Sequence, residues 1–483
     1  MTQECTDKIS SVLSDFTQWL ERYGETSWDH QTFFAGPTGR AAKTLYYRHK
    51  LLGTAAVAPM ILFEAFLPGA RRLFHHPERF PIADAHYAMG FAFLYQATGQ
   101  AEYLDRAIHF LRELEQSRSS GFTEYCWGYP SDWVTRDGVI KARTPLITST
   151  PYVYEAFLQV TELVEGTTSP EVRGQRSEVS KEKAFELSTL NSVKERGSHG
   201  ALRSQPLVAP KSNEGGSTFE GPEGLKEILE SIARHAANDI KDFRRSEMAS
   251  SCSYTPFGED GVINAAAYRA FLLTSASQVF SRDDYWKIAE RNLNFVLEAQ
   301  NADGSWFYAV DGVRDFVDHY HTCFVMKALA KIHALTGHQA CLEALSKGVN
   351  YYLKNLFAED GLPKPFSKAP RLTVYKRELY DCAECINLCL LLRDRFPELK
   401  ATLETVVAGV LQDWIKPDGS FRSRRLLLGW DNVPMHRWGQ AQMFRSLAYY
   451  LRETAKHRGR RTDDGGRTLE QRGQRAEVAI GRK

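Results

Sequence analysis

The sequence lacks an excess of charge of either sign: across 483 residues, 61 Lys and Arg stand against 59 Asp and Glu. This balance removes the global basic field that drives nucleic-acid binding, so a small-molecule, glycan or protein partner is expected instead. The eight cysteines are scattered along the chain, which excludes a dense disulfide framework and predicts free thiols in a reducing, cytoplasmic setting. Their tightest group, Cys382, Cys385 and Cys389, has helical spacing within an apolar run and reads as a packed face, not a metal site. The start, MTQECTDKISSVLSDF, has no basic stretch followed by an apolar core of the sort that directs secretion. There is no phosphate-cradling Gly-rich loop with a Lys, and nothing calls for a bound metal or other cofactor.

Long apolar runs are scarce. The exception, LLGTAAVAPMILFEAFLPGA (51–70), has the length of a membrane span and basic residues on both sides. It also carries Pro59, Glu64 and Pro68, and a carboxylate in lipid is costly. A buried helix of the fold is expected here, with no membrane span.

Strand-like alternation is nearly absent. Apolar residues instead recur at spacings of three and four, the mark of amphipathic helices. A turn recurs between them: QNADGSWFY (300–308), FAEDGLPKPF (357–366) and IKPDGSFRSR (415–424) each follow a helical run and bring an aromatic after Asp-Gly. Half the helical segments keep a charged face. Six others, starting near residues 84, 149, 264, 318, 381 and 436, are apolar or small all round.

Alternation of buried and exposed helices is what a double ring of hairpins demands. The predicted fold is all-α, an (α/α)6 toroid over residues 81–455, with N-terminal helices near 4–22 and 51–67 in residues 1–80 closing the ring. Residues 166–222 are polar and poor in aromatics and predict a disordered insertion in an outer loop. The basic tail 456–483 reads the same way.

In such a toroid the connections from outer to inner helices meet at one mouth. Gathered there are Trp127, Tyr129, Trp133, Tyr254, Trp306, His319, His321, Asp381, Trp430, His436, Arg437 and Trp438 as candidate substrate-binding residues. A cleft of Trp and Tyr punctuated by carboxylates, His and Arg suits sugar rings. Glycoside cleavage needs two carboxyl groups across the bond, one protonated and one ionised. Asp132, flanked by aromatics in YCWGYPSDW, is the first expectation for the acid, with desolvation raising its pKa. Asp318, Asp381 and Glu384 compete for the second role, although Asp318 and Asp381 also sit where helix N-caps sit. Glu384, a turn into an apolar helix, must be paired or functional. His319 and His321, two apart, cannot share a helix face as a metal pair.

Together YCWGYPSDW, TPLITSTPYVYEAF, SYTPFGEDGVINAAAYRAFLL, DHYHTCFVMKAL, LYDCAECINL and VPMHRWGQAQMFRSLAYY resemble the six-hairpin glycosidase-like superfamily, in particular bacterial members associated with surface polysaccharide production. The resemblance implies the toroid and an oligo- or polysaccharide substrate. The reaction it leaves open among hydrolase, lyase, epimerase and a non-catalytic glycan-binding scaffold, since one fold supports several chemistries. RNLNFVLEAQNADGSW is also similar to the Gln-to-Trp repeat of triterpene cyclases, through Arg291, Phe295, Gln300, Gly304 and Trp306, but no Asp-x-Asp-Asp acid motif accompanies it.

Overall fold

Six hairpins form the ring. In the computed structural model, which describes residues 3–168, 221–258, 261–370 and 373–465, the inner helices are Pro81–Thr98, Thr150–Thr168, Ile263–Val279, His319–Thr336, Leu379–Leu392 and Ala441–Gly465. Each touches the next, and the sixth packs back on the first, so the inner ring is closed. Their outer partners are Ala101–Gln116, Gly221–Arg234, Asp283–Glu298, Gln339–Asn355, Leu399–Asp413 and, for the sixth, the N-terminal helix Gln3–Tyr23.

The division follows from side-chain pattern. Ala101–Gln116 buries one stripe, Leu104, Ala107, Phe110, Leu111 and Leu114, at the three-four spacing of a surface helix. Ile263–Val279 buries every residue from Ile263 to Ala276, which a helix walled by protein on all sides requires. The ring axis is filled with side chains. Tyr152 and Tyr268 share a hydroxyl contact of 2.7 Å, Arg445 lies 3.0 Å from the His86 ring, and Lys327 and Lys331 pair with Glu384 and Glu155.

The outer-to-inner connections all lie at the end of the ring where the inner helices begin, and short strands knit them together. Val317–Asp318 pairs with Phe366–Lys368, and Tyr375–Glu378 pairs with Arg424–Leu426, which pairs with Trp430–Asp431. The repeated Asp-Gly turns launch these connections. Asp303 and Asp418 each accept from the backbone N–H and the hydroxyl of a Ser two residues on, at 2.6–3.0 Å, and Asp360 accepts from the Leu362 N–H. The following glycines have φ of +90°, +91° and +73°, a region that side chains with a Cβ disfavour.

The turn at 300–306 also joins neighbouring outer helices. Gln300 donates to Gly304 O and Ala344 O, while the Trp306 indole donates to Val296 O and its ring lies against Gly348. In this chain the cyclase-like residues Gln300, Gly304 and Trp306 thus tie one hairpin to the next. A Cβ on Gly304 would stand 2.4 Å from Lys347 O, whereas Gly312, also at positive φ, faces open space. Gly304→Ala is expected to lower unfolding free energy by about 1–3 kcal/mol or more, measured by denaturant titration, with Gly312→Ala costing visibly less.

Two N-terminal expectations are corrected. Only Gln3–Tyr23 completes the outer ring. The helix Lys50–Phe66 lies outside it, packed with Thr32–Ala35 and Pro37–Arg48 around a small separate cluster of Phe33, Ala42 and Met60. It is also not buried all round: Gly53, Met60, Glu64 and Ala65 alone are buried. Among the described residues no helix is long and apolar enough to cross a membrane. The expected insertion and tail lie mostly outside the described residues, although the last helix runs on to Gly465, past the expected end at 455.

Candidate active site

At the centre of the mouth, the starts of the fourth and fifth inner helices bring several carboxyl groups together. Asp318 closes its strand and caps the helix His319–Thr336: one oxygen accepts the His321 backbone N–H at 3.0 Å, the other meets His321 Nδ1 at 2.6 Å. Glu378 ends the neighbouring strand and is paired with Arg424, whose guanidinium also binds Glu64 at 2.6 Å. Asp381 follows in the first turn of Leu379–Leu392, and Glu384 one turn further.

Asp381 is fully buried, and neither of its carboxyl oxygens has a hydrogen-bond partner among the described residues. Burial drives its pKa well above the usual carboxylate range, and the negative charges of Glu378, Asp318 and Glu384 add to the rise against the opposing Arg424. The helix N-terminus pulls the other way by about 0.3–1 kcal/mol. Full burial of a carboxyl can shift its pKa by several units, at about 1.4 kcal/mol each, so burial wins and the protonated acid is favoured. Glu384 is different: Lys327 holds one oxygen in a buried ion pair, and only the other is unpartnered.

An aromatic wall stands beside Asp381. Trp438 meets Tyr380 edge-on at 5.0 Å and Tyr320 at 5.7 Å, and its indole N–H is buried without a partner. The helix backbone departs from helical geometry at Trp438 and Gly439, and a Cβ on Gly439 would press Leu379 at 3.2 Å. Arg437 stacks on Tyr129 at 4.3 Å and pairs with Asp29 at 2.8 Å. Tyr129, Trp133 and Tyr254 continue the wall, with successive centroids 5.9 and 6.2 Å apart.

Other sequence candidates lie elsewhere or do other work. The expected net rise at Asp132 is not found: its carboxyl accepts from the Ala142 N–H at 2.9 Å and meets Lys141 at 3.3 Å, and its pKa is lowered, first by that backbone bond, which with Lys141 outweighs the desolvation. The indole of Trp127 is wholly buried and donates to Leu114 O. Trp306 belongs to the turn described above, its ring edging a pocket of about 10 Å³ shared with Asn264, Tyr308 and His321. Trp430 packs on Trp414 and is flanked by Arg422 and Arg425.

His319 and His436 face away from the mouth, and both ring nitrogens of each are engaged. His319 bridges Leu356 O and the Tyr352 hydroxyl, and His436 bridges Gly24 O and the Tyr87 hydroxyl. A carbonyl only accepts, so the nitrogen facing it carries a proton, and burial, which disfavours the charged ring, lowers the pKa to about 3 and about 4 respectively. Folded pKa values below the unfolded value near 6.5 mean stability that is present above about pH 6.5 and lost as pH falls towards 4. Between those limits each ring is expected to cost about 1.4 kcal/mol per pH unit. Urea unfolding at pH 7 and pH 5 checks this, and His436→Asn should flatten the dependence.

The residues that sequence reasoning missed are Glu378, Arg424, Lys327, Tyr320 and Asp29. Outside the centre, His75, His76 and Glu78 are grouped closely enough to hold a metal ion. Residues 28–80 also reach over the mouth, through Asp29 to Arg437, Glu64 to Arg424, and Arg71 to Asp431 at 2.7 Å.

No family model and no curated protein sequence matches the chain. Solved structures do match its fold. An unsaturated glucuronyl hydrolase specific for heparin superposes with a TM-score of 0.53 at 9% identity, covering 94% of this chain and 98% of its own. A cellobiose 2-epimerase from Bacillus thermoamylovorans gives 0.51 at 8% identity over 79% and 90%. An α-1,6-mannanase from Salegentibacter sp. gives 0.49 at 10% identity over 79% and 90%. The chain has the six-hairpin glycosidase fold, an (α/α)6 toroid.

Proposed function

We propose that the protein acts on a glycan or polysaccharide precursor and cleaves a glycosidic bond, with Asp381 as proton donor. The observation that carries this reading is a carboxyl group that is fully buried, unpartnered and favoured in its protonated form beside an aromatic wall. A buried polar group without a partner costs stability, so it persists where it serves a ligand. Asp318, oriented by His321, supplies the second carboxyl and acts as the base that activates water. Burial keeps the Asp381 proton in place, helped by the negative charges of Glu378 and Asp318 and, last, by Glu384, which Lys327 fixes. Trp438, Tyr129, Trp133 and Tyr254 would carry sugar rings, with Arg437 on the hydroxyls. Since Asp381 is fully enclosed, residues 28–80 must part from Arg437 and Arg424 to admit a substrate.

A second reading has its own support. Asp318 accepts from His321 Nδ1, so the Nε2 of an oriented, part-exposed imidazole can take a proton from a carbon acid, as an epimerase or lyase requires. Tyr129, His319 and His436 do not serve in that role: burial raises the phenol of Tyr129, and both histidines have their nitrogens committed.

A panel of oligosaccharides and unsaturated uronides separates the two. Reducing ends released by the wild type and lost in Asp381→Asn support hydrolysis. Epimer or unsaturated product that vanishes in His321→Gln and survives Asp381→Asn would replace it with the second reading. Thermal stabilisation by a glycan with no product from either protein would favour a binding scaffold.

A further inference from the structure

The helical unit between Gln3–Tyr23 and Pro81–Thr98 has one face on which none of the described residues packs. On the helix Lys50–Phe66, Leu51, Leu62 and Phe66 are 88%, 58% and 51% exposed, in register with the exposed Ala55. Leu67 and Leu73, which follow the helix, are 60% and 86% exposed. Spacings of 4, 7 and 4 from Leu51 through Ala55 and Leu62 to Phe66 place these residues on one stripe, opposite the buried Gly53, Met60 and Glu64. A contiguous exposed apolar surface of this kind marks an interaction site.

Charge identifies what covers it. From residue 24 to residue 80 there are seven Lys and Arg against four acids, Glu25, Asp29, Glu64 and Glu78. Asp29 and Glu64 are buried and paired with Arg437 and Arg424, and Arg71 and Arg79 are paired with Asp431 and Glu25. The remaining bases, Arg40, Lys43, Arg48, Lys50 and Arg72, give the unit a positive excess in a chain balanced to within two charges. Arg48 and Lys50 are exposed at one end of the stripe and Arg72 at the other, and Tyr47 is 41% exposed beside them. Two such cationic faces would repel, which disfavours pairing with a second copy. The 17-residue helix would reach about 26 Å, short of the ~30 Å hydrocarbon core, so it is suited to lying on a bilayer and not to crossing it.

We propose that this face docks the protein on an anionic lipid surface, with the helix Lys50–Phe66 in the plane of the interface and its stripe in the headgroup boundary. The proposal stands on this surface alone, whatever chemistry the mouth performs.

Co-sedimentation of the full chain with phosphatidylcholine vesicles, with and without phosphatidylserine, tests it. The expected result is pelleting that requires phosphatidylserine, weakens with added salt, and falls at least tenfold in Leu51→Glu/Leu62→Glu/Phe66→Glu. Because these side chains are exposed, that variant should keep the wild-type melting temperature. Arg48→Glu/Lys50→Glu should also lower binding while leaving the stripe intact. No pelleting with anionic vesicles overturns the proposal, as does equal pelleting of wild type and stripe variant. A dimer in solution that the stripe variant dissociates, without vesicle binding, would overturn it in favour of a second copy.

Discussion

Asp381→Asn is expected to lower glycan cleavage by about 10²–10⁴-fold, the usual contribution of a positioned proton donor, while leaving glycan binding within a few-fold. Asn keeps the shape and removes only the transferable proton. Substrates whose leaving group needs no protonation should recover much of the rate. The same substitution carries a stability signature whose sign follows from the raised pKa. A buried acid with a folded pKa above its unfolded value of about 3.9 contributes stability that is fully present below that value and lost as pH rises through the folded one. The Asn variant loses no stability through this group. Its unfolding free energy, compared with wild type, should therefore improve by about 1.4 kcal/mol per pH unit above pH 4, until the folded pKa is passed. The trend is opposite to that of His319 and His436, so the two can be separated by mutation.

Removing Arg424 is expected to have the largest effect on stability. Its guanidinium is the shared partner of Glu64 and Glu378, both buried, and it stacks on Tyr375 at 4.4 Å. Breaking a buried pair from one side leaves an uncompensated charge and costs about 3–5 kcal/mol. Arg424→Ala should lose that much by denaturant titration, and adding Glu64→Gln should restore part of it, since the orphaned charge is then gone. The contact also ties the N-terminal unit to the mouth. Protease cleavage within residues 28–80 should accelerate in Arg424→Ala before global unfolding does.

The ring was legible because it rests on a local signal. Whether a helix such as Ile263–Val279 or Ala101–Gln116 is inner or outer is written in its own side chains, and six apolar segments alternating with charged-face helices leave one closed arrangement. The site was legible only in part. Asp318 was expected both as an N-cap and as a site residue; the structure shows the cap, with one oxygen on the His321 N–H while the other meets the His321 ring. Asp132 misled because neighbours in sequence were taken for neighbours in space. Its carboxyl faces Lys141, while Trp133 and Tyr129 pack on each other.

Glu378 and Arg424 are 46 residues apart and meet through strand pairing, which no local pattern announces. The one available signal was Glu64, a carboxylate in an apolar run that demanded a partner. Its partner proved to be Arg424. The same run misled on burial, because apolar composition cannot distinguish a helix facing a core from one presenting its stripe outward.

The central claim is that burial holds the Asp381 proton well above the range in which carboxyl groups ordinarily ionise. Infrared difference spectroscopy of wild type against Asp381→Asn, read across a pH titration, measures this without knowledge of the substrate. A carbonyl band of a protonated carboxylic acid that is present in the wild type at pH 7, and missing from the variant, is the predicted result. An Asp381 already ionised at pH 5, with no such difference band at pH 7, would contradict the account and remove the proton donor on which it depends.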